Sequence, residues 1–228
     1  MMRKLKLCIW IPVMTLIFLI GCRTSQPSAG RIDCETKIPL RAEDICPILI
    51  GQPLPKIFLR TPDNELFNLN SAIAKKPTVL IFFRGGWCPY CNRHLNQLQN
   101  IEPDLIKLGF QIIAVSPDRP GLLKSHAKEK EINYLLMSDS TMKAAEALGI
   151  AFQVDDETIK KYSTYGIDLQ ASSGQNHHLL PVPAVFIIGK DGVIQFSYVN
   201  PNYKVRVDSG VLLKAAEAVA SQPPADKL

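Results

Sequence analysis

Two cysteines three residues apart, Cys88 and Cys91, are the side chains in this sequence best suited to chemistry. A thiolate is a nucleophile, and a pair at this spacing can close a disulfide across one helical turn. One sulfur can attack a substrate while the other resolves the intermediate. The pair lies in Phe83-Arg84-Gly85-Gly86-Trp87-Cys88-Pro89-Tyr90-Cys91. The apolar run Thr78 to Phe83 reads as a buried strand, and from Asn92 to Leu108 the residues Leu95, Leu98, Ile101, Leu105 and Leu108 recur at helical spacing. The cysteines are therefore predicted at the joint between a strand and a helix N-terminus. Unpaired N–H groups and the helix dipole stabilise a thiolate there. Pro89 suits the first helical position because it has no N–H to leave unpaired. Cys88, nearest the terminus, is the expected nucleophile and Cys91 the resolving thiol. A c-type haem attachment would need His directly after the second cysteine, and that residue is Asn92.

The elements that must position this stretch follow from periodicity and turn chemistry. Phe58-Leu59-Arg60 and Leu66-Phe67-Asn68-Leu69 bracket the turn signal Thr61-Pro62-Asp63-Asn64. Strands are predicted over Phe110 to Val115, Tyr134 to Met137, Val185 to Ile188 and Val193 to Val199, the last two joined by Gly189-Lys190-Asp191-Gly192. Helices are predicted over Ala42 to Ile50, Gly121 to Lys130, Ser140 to Leu148 and Ser209 to Ala220, and Pro103 is expected to kink or split the helix after Cys91. Asp155 to His178 is polar and weakly periodic and reads as an insertion, in which His177 and His178 are expected to face solvent. Alternating strands and helices give an α/β fold, a mixed central sheet covered by helices on both faces. No phosphate-binding glycine loop, internal repeat or paired zinc-ligand spacing is present, so neither a cofactor nor a metal is expected.

The 228 residues allow one domain with a sizeable core plus extensions, and the formal charge of +5 is concentrated at one end. Arg3, Lys4 and Lys6 lie in a leader without acidic residues, and beyond residue 21 there are 23 basic against 21 acidic side chains. That balance gives no reason to expect nucleic acid as a partner. Leu7 to Ile20 is apolar, about the length of a signal h-region and short for a membrane span. It ends in Leu19-Ile20-Gly21-Cys22, which resembles the bacterial lipobox. On that resemblance residues 1–21 are a lipoprotein signal peptide, Cys22 carries lipid, 22–41 form a tether and 42–228 the domain. The alternative is an uncleaved anchor helix. The resemblance implies a periplasm-facing, envelope-bound protein, and Arg23 after the lipid site leans it toward the outer membrane. In an oxidising compartment Cys34 and Cys46 are either a structural disulfide or two unrelated thiols.

Two stretches carry a resemblance to a known family. Trp87-Cys88-Pro89-Tyr90-Cys91 resembles the Trp-Cys-x-x-Cys of thioredoxin-like proteins, and the longer run from Arg84 resembles the peroxiredoxin-like branch of the alkyl hydroperoxide reductase/thiol-specific antioxidant family. Downstream, Leu180-Pro181-Val182-Pro183-Ala184-Val185-Phe186-Ile187-Ile188 with Lys190-Asp191-Gly192 resembles the cis-proline strand and hairpin of that fold. The resemblance spans roughly residues 43–219 and implies a thioredoxin-like fold. It implies that Cys88 and Cys91 are catalytic, that Trp87, Val182 and a cis Pro183 line the substrate side, and that the Val182 backbone pairs with a bound peptide; Pro181 is the competing cis-proline. Phe82 stands where thioredoxins carry a buried acid, and Arg84 nearby can stabilise a thiolate by charge or serve a structural role. Cys88 stands where peroxiredoxins carry a Thr and Cys91 where they carry the peroxide-attacking cysteine. The leading expectation is thiol–disulfide exchange on protein disulfides or thiols. The alternatives are a peroxidase that reduces hydroperoxides with a thiol electron donor, in which the roles reverse so that Cys91 becomes the sulfenic acid and Cys88 condenses with it, and a redox-inert binding module.

Overall fold

The computed structural model describes residues 38–130 and 132–222, all within the unit Cys34–Leu228. In chain order its elements are β1 (Phe58–Arg60), β2 (Leu66–Asn68), α1 (Leu69–Lys75), β3 (Thr78–Phe82), α2 (Pro89–Lys107), β4 (Gln111–Ser116), α3 (Pro120–Glu129), β5 (Leu135–Ser138), α4 (Lys143–Ala147), β6 (Ala151–Gln153), α5 (Asp156–Thr164), α6 (Leu169–Ser173), β7 (Leu179–Pro181), β8 (Ala184–Ile188), β9 (Ile194–Val199) and α7 (Ser209–Ser221). Seven strands form one mixed sheet in the order β2-β1-β5-β4-β3-β8-β9, and β6 and β7 form a separate ribbon. β3 lies at the heart of the sheet, parallel to β4 and antiparallel to β8. Every residue of β3 and β8 is buried, as continuous apolar runs require when a sheet is covered twice.

Strand alternation divides the core in two. Leu80, Phe82, Ile113, Val115, Phe186 and Ile188 pack on one side with α1 and α4 residues. Val79, Ile81, Ile112, Ala114, Val185 and Ile187 pack on the other with α2, α3 and α7, and both Cys88 and Cys91 belong to that second cluster. The fold is thus the expected thioredoxin-like α/β architecture, with the dithiol on the α2 side.

Four local expectations are revised. α2 runs unbroken across Pro103. An internal proline costs about 3 kcal/mol, but buried Leu95, Leu98, Ile101 and Leu105 hold the helix face, each worth about 1.5–3 kcal/mol. The helix expected over Ala42 to Ile50 is a single 3-10 turn, Ala42–Asp44. Cys46 precedes Pro47, which disfavours helical backbone at that residue. The 155–178 insertion contains α5 and α6, each started by an aspartate cap: Asp155 accepts from the Thr158 N–H and Asp168 from the Ala171 N–H. His177 and His178 are half-buried rather than solvent-facing. The His177 Nδ1 accepts from the Leu179 N–H at 2.9 Å, and its Nε2 lies 2.9 Å from the Ser140 carbonyl. At the chain's entry Ile38 packs on the core and Pro39 accepts the Gln153 N–H at 2.8 Å. No helix among the described residues is long and apolar enough to cross a membrane.

Candidate active site

The active-site loop is built by two glycines and one buried acid. Phe83 continues β3 by donating its N–H to Val115 at 3.0 Å. Gly85 then adopts φ +142°, a backbone conformation side chains rarely accept, and a β-carbon there would lie 2.4 Å from the Trp87 ring nitrogen. Gly86 donates its N–H to Asp118 Oδ2 at 2.7 Å, and the turn closes with the Cys88 N–H on the Gly85 carbonyl at 3.1 Å. Cys88 is the N-cap residue of α2: its carbonyl accepts the Asn92 N–H at 3.0 Å. The Asn92 side chain ties back to the Gly86 carbonyl at 2.9 Å. Asp118, at the C-terminal end of β4, is pushed up to about 6 by burial, opposed by the hydrogen bonds from Gly86 and Ser116.

The two sulfurs are free, buried and unequal. Cys88 is held down to about 6, chiefly by a hydrogen bond from the Cys91 thiol. Burial opposes this, while the Cys91 N–H and the charges of Arg84 and Arg206 assist. Cys91 is raised well above its ordinary value by burial and by sharing its proton with Cys88. Arg206, whose Nη2 lies 3.4 Å from the Cys91 Sγ, pulls the other way. The shared proton is therefore held unequally, with the thiolate favoured at Cys88 and the thiol at Cys91.

Arg84 is buried, with only 4% of its surface exposed, so it is no solvent-facing residue. Its guanidinium sits 4.1 Å from the ring centroid of Tyr203, 5.0 Å from Trp87 and 5.4 Å from Tyr162, and it donates to the Tyr162 hydroxyl. Such stacking on aromatic faces fixes a cation without a carboxylate. Trp87 packs on Tyr162 at 5.7 Å, and Tyr90 on Tyr203 at 5.7 Å. Together they bound a cavity of about 440 Å³ in which Cys88, Arg84 and these rings line the wall; Cys91 does not line it. Phe82, in the place of the thioredoxin acid, is core, edge-on to Phe186 at 6.5 Å.

Trp87 and Arg84 thus stand beside the reactive pair as expected, whereas Val182 and Pro183 do not have the expected form. The Val182–Pro183 bond is trans, as is every peptide bond among the described residues, Leu180–Pro181 included. An X–Pro bond prefers trans by about 0.5–1 kcal/mol, and here both flanks run extended in β7 and β8. The Val182 N–H is already donated to Ile150 at 2.8 Å, so it offers no pairing to a peptide. Cys46 is disulfide-bonded; Cys34, its expected partner, and Cys22 lie outside the described residues. Sequence reasoning missed Tyr162, Tyr203 and Arg206. The usable signal was tyrosines in otherwise polar stretches, Lys160-Lys161-Tyr162 and Asn200-Pro201-Asn202-Tyr203. Arg206 left no local signal.

Fold and site define a thioredoxin-fold protein with a dithiol at a helix N-terminus. The chain belongs to the AhpC/TSA family, whose model matches residues 50–197. It is 27% identical over 104 residues to a putative peroxiredoxin Bcp of Haemophilus influenzae, covering 46% of this chain and 66%, just under two thirds, of that protein. A putative peroxiredoxin Bcp of Coxiella burnetii is 27% identical over 165 residues, 72% of this chain and 94% of that one. Among solved structures, reduced Prx3 from Vibrio vulnificus in complex with H2O2 superposes with a TM-score of 0.61 at 20% identity, covering 74% of this chain and 99% of that chain.

Proposed function

We propose that this chain is a thiol-dependent peroxidase in which Cys88 attacks the hydroperoxide and Cys91 resolves. The observation that carries the reading is the placement of Cys88: it is the sulfur on the cavity wall, at the α2 N-terminus, with its thiolate favoured. The Cys88 thiolate attacks the terminal peroxide oxygen, the O–O bond breaks, and the departing alkoxide or hydroxide takes a proton. Cys88 is left as a sulfenic acid. Cys91 then attacks the Cys88 sulfur, hydroxide leaves as water after protonation, and a Cys88–Cys91 disulfide forms. A dithiol donor returns the pair to the reduced state. Membership in the AhpC/TSA family and peroxiredoxin relatives support peroxidase chemistry over the exchange reading first expected from the Cys-x-x-Cys; the family resemblance sets the peroxide-attacking cysteine at Cys91, and the assignment of attack to Cys88 rests on the cavity wall and the favoured thiolate alone.

Disulfide exchange keeps one supporting observation, the Cys88 thiolate at a helix start. The trans Val182–Pro183 bond and the occupied Val182 N–H remove the peptide-pairing edge that it needs. A redox-inert module would have no use for two free thiols sharing a proton. The deciding assay is consumption of hydroperoxide by the full chain with dithiothreitol as donor. Turnover that vanishes in Cys88→Ser supports the reading; reduction of an insulin disulfide without hydroperoxide turnover overturns it.

The protein is further proposed to act in the bacterial envelope, lipid-anchored through Cys22 and facing the periplasm, with Arg23 favouring the outer membrane. The support is the order of n-region, apolar run and Leu19-Ile20-Gly21-Cys22. Mass spectrometry of the mature N-terminus should find a lipidated Cys22; an unmodified chain starting at Met1 rules the anchor out.

A further inference from the structure

α5 gives one whole face to the cavity wall. Thr158, Lys161, Tyr162 and Tyr165 line the cavity, at positions i, i+3, i+4 and i+7 of a helical stripe. No residue of α5 is buried, and Tyr165 exposes 68% of its surface, so this face stays open to a ligand. Cys88 lines the same cavity with only 1% of its surface exposed, so a reactant reaches it by entering there. At about 440 Å³ the cavity lies in the range of sites for small organic molecules. A water takes about 30 Å³ of the liquid, so hydrogen peroxide would fill a small part of it. The wall carries two cations, Arg84 and Lys161, and no aspartate or glutamate. Arg84 is already engaged: it is buried among three rings, donates to the Tyr162 hydroxyl and favours the Cys88 thiolate. Lys161 is exposed, and among the described residues no carboxylate forms an ion pair with it, Glu157 one turn back on α5 included.

We propose that the α5 face is a carboxylate subsite: Lys161 holds the carboxylate of a small organic molecule whose reactive end lies at Cys88. This deepens the peroxidase reading by naming a ligand class, and it rests on that reading where the ligand is a hydroperoxide. The rings of Trp87, Tyr162 and Tyr165 take the apolar body, and Lys161 fixes one end, so the molecule enters in one direction. Two reactants can carry the carboxylate. One is the hydroperoxide: its O–O bond breaks, the dithiol becomes a disulfide, and the organic part leaves as an alcohol with one water. The other is the thiol donor. Its thiolate attacks the Cys88 sulfur of the Cys88–Cys91 disulfide, and Cys91 leaves and takes a proton. A second donor thiolate attacks the donor sulfur of the mixed disulfide and releases Cys88, so two thiols become one donor disulfide. An ion pair at an exposed lysine is weak and screened by salt. It therefore selects among ligands of one reactivity and does not drive the chemistry.

The test uses the full chain and two matched series that differ in charge. In the first arm the reduced protein, with dithiothreitol as donor, consumes cumene hydroperoxide or its ring-carboxylated analogue. In the second the Cys88–Cys91 disulfide, made with diamide, is reduced by mercaptopropionate, mercaptoethanol or cysteamine, and rates are compared per thiolate. In at least one arm the carboxylate-bearing member should be favoured about fivefold over the neutral one, the size of one exposed ion pair. The arm that shows the preference identifies the source, and added salt should erode it. Lys161→Ala should lose the preference and keep the neutral rates within about twofold, which also shows that the variant is folded. Lys161→Glu should reverse the order, with cysteamine now favoured in the thiol arm. Lys160→Ala, the neighbouring lysine that does not line the cavity, should behave as wild type. No preference in either arm overturns the proposal, and so does a preference that survives Lys161→Ala or is lost equally in Lys160→Ala. If no hydroperoxide is consumed while the thiol arm still shows a Lys161-dependent preference, the peroxidase reading has failed and the subsite stands.

Discussion

Cys88 and Cys91 are one helical turn apart and chemically opposite. Cys88 ends the turn made by Gly85 and Gly86 and borders the aromatic cavity, and it is held down to about 6. Cys91 points into the α2 side of the core, has no exposed surface and is raised. Both arginines favour the Cys88 thiolate and Arg206 also reaches Cys91, but the two cations are held differently. Arg84 is clasped by Trp87, Tyr162 and Tyr203 at the mouth, while Arg206 is held by backbone carbonyls on a loop packed against the core. Two thiols of one residue type thus differ in where each can lose its proton. In the peroxidase proposed above, the thiolate at the cavity wall reacts first and the interior thiol, which keeps its proton, follows.

That contrast can be broken from either side. The largest effect should come from Cys88→Ser, which removes the cavity-facing nucleophile and should abolish turnover; Cys91→Ser should still reduce one equivalent of peroxide and then stall as sulfenic acid. Arg84→Met should raise the Cys88 titration by about one unit and slow peroxide reduction about tenfold at pH values below the wild-type midpoint, and less above it. Arg84→Lys, which keeps charge but not the planar stack, should fall between. The pH profile of the wild type gives the sign. Cys88 is an acid whose value is lowered from 9.0 to about 6, so reactivity should be flat above that value and fall away as pH drops through it. An unperturbed thiol would instead lose reactivity below about pH 8.5. Gly85→Ala should destabilise the fold by about 1–3 kcal/mol in chemical denaturation, because the added carbon meets the Trp87 ring at a positive φ. The smallest change belongs to Tyr162→Phe, which removes the hydroxyl that accepts from Arg84 but keeps the ring; a few-fold loss in the peroxide step and an unchanged closure step are expected.

Much of this arrangement was legible from residues alone, and the reason is local. β3 and α2 announce themselves through a continuous apolar run and a 3.6-residue period, and their junction fixes a thiol at a helix start whatever the rest of the chain does. Arg84 and Trp87 came with the same stretch. Tyr162 sits in an insertion whose helices are short and mostly exposed, so periodicity was weak there. Tyr203 and Arg206 reach the site only because β9 and α7 pack beside β8 and α2, and no local pattern records that. The proline motif misled for a related reason. Pro183 resembles a cis-proline by its neighbours, but isomer choice depends on the hydrogen bonds of the flanking strands, which link Val182 to Ile150 and Pro183 to Asn200.

In the peroxidase proposed above, the sulfur at the cavity wall, Cys88, is the one that meets peroxide. The direct measurement is rapid mixing of Cys88→Ser and Cys91→Ser, each reduced, with hydrogen peroxide, reading sulfenic acid by dimedone capture. Cys91→Ser should form sulfenic acid on Cys88 far faster than free cysteine reacts, and Cys88→Ser should react no faster than free cysteine. The reverse pattern, a fast Cys91 in Cys88→Ser and an inert Cys88 in Cys91→Ser, would contradict the account and assign peroxide attack to the interior thiol.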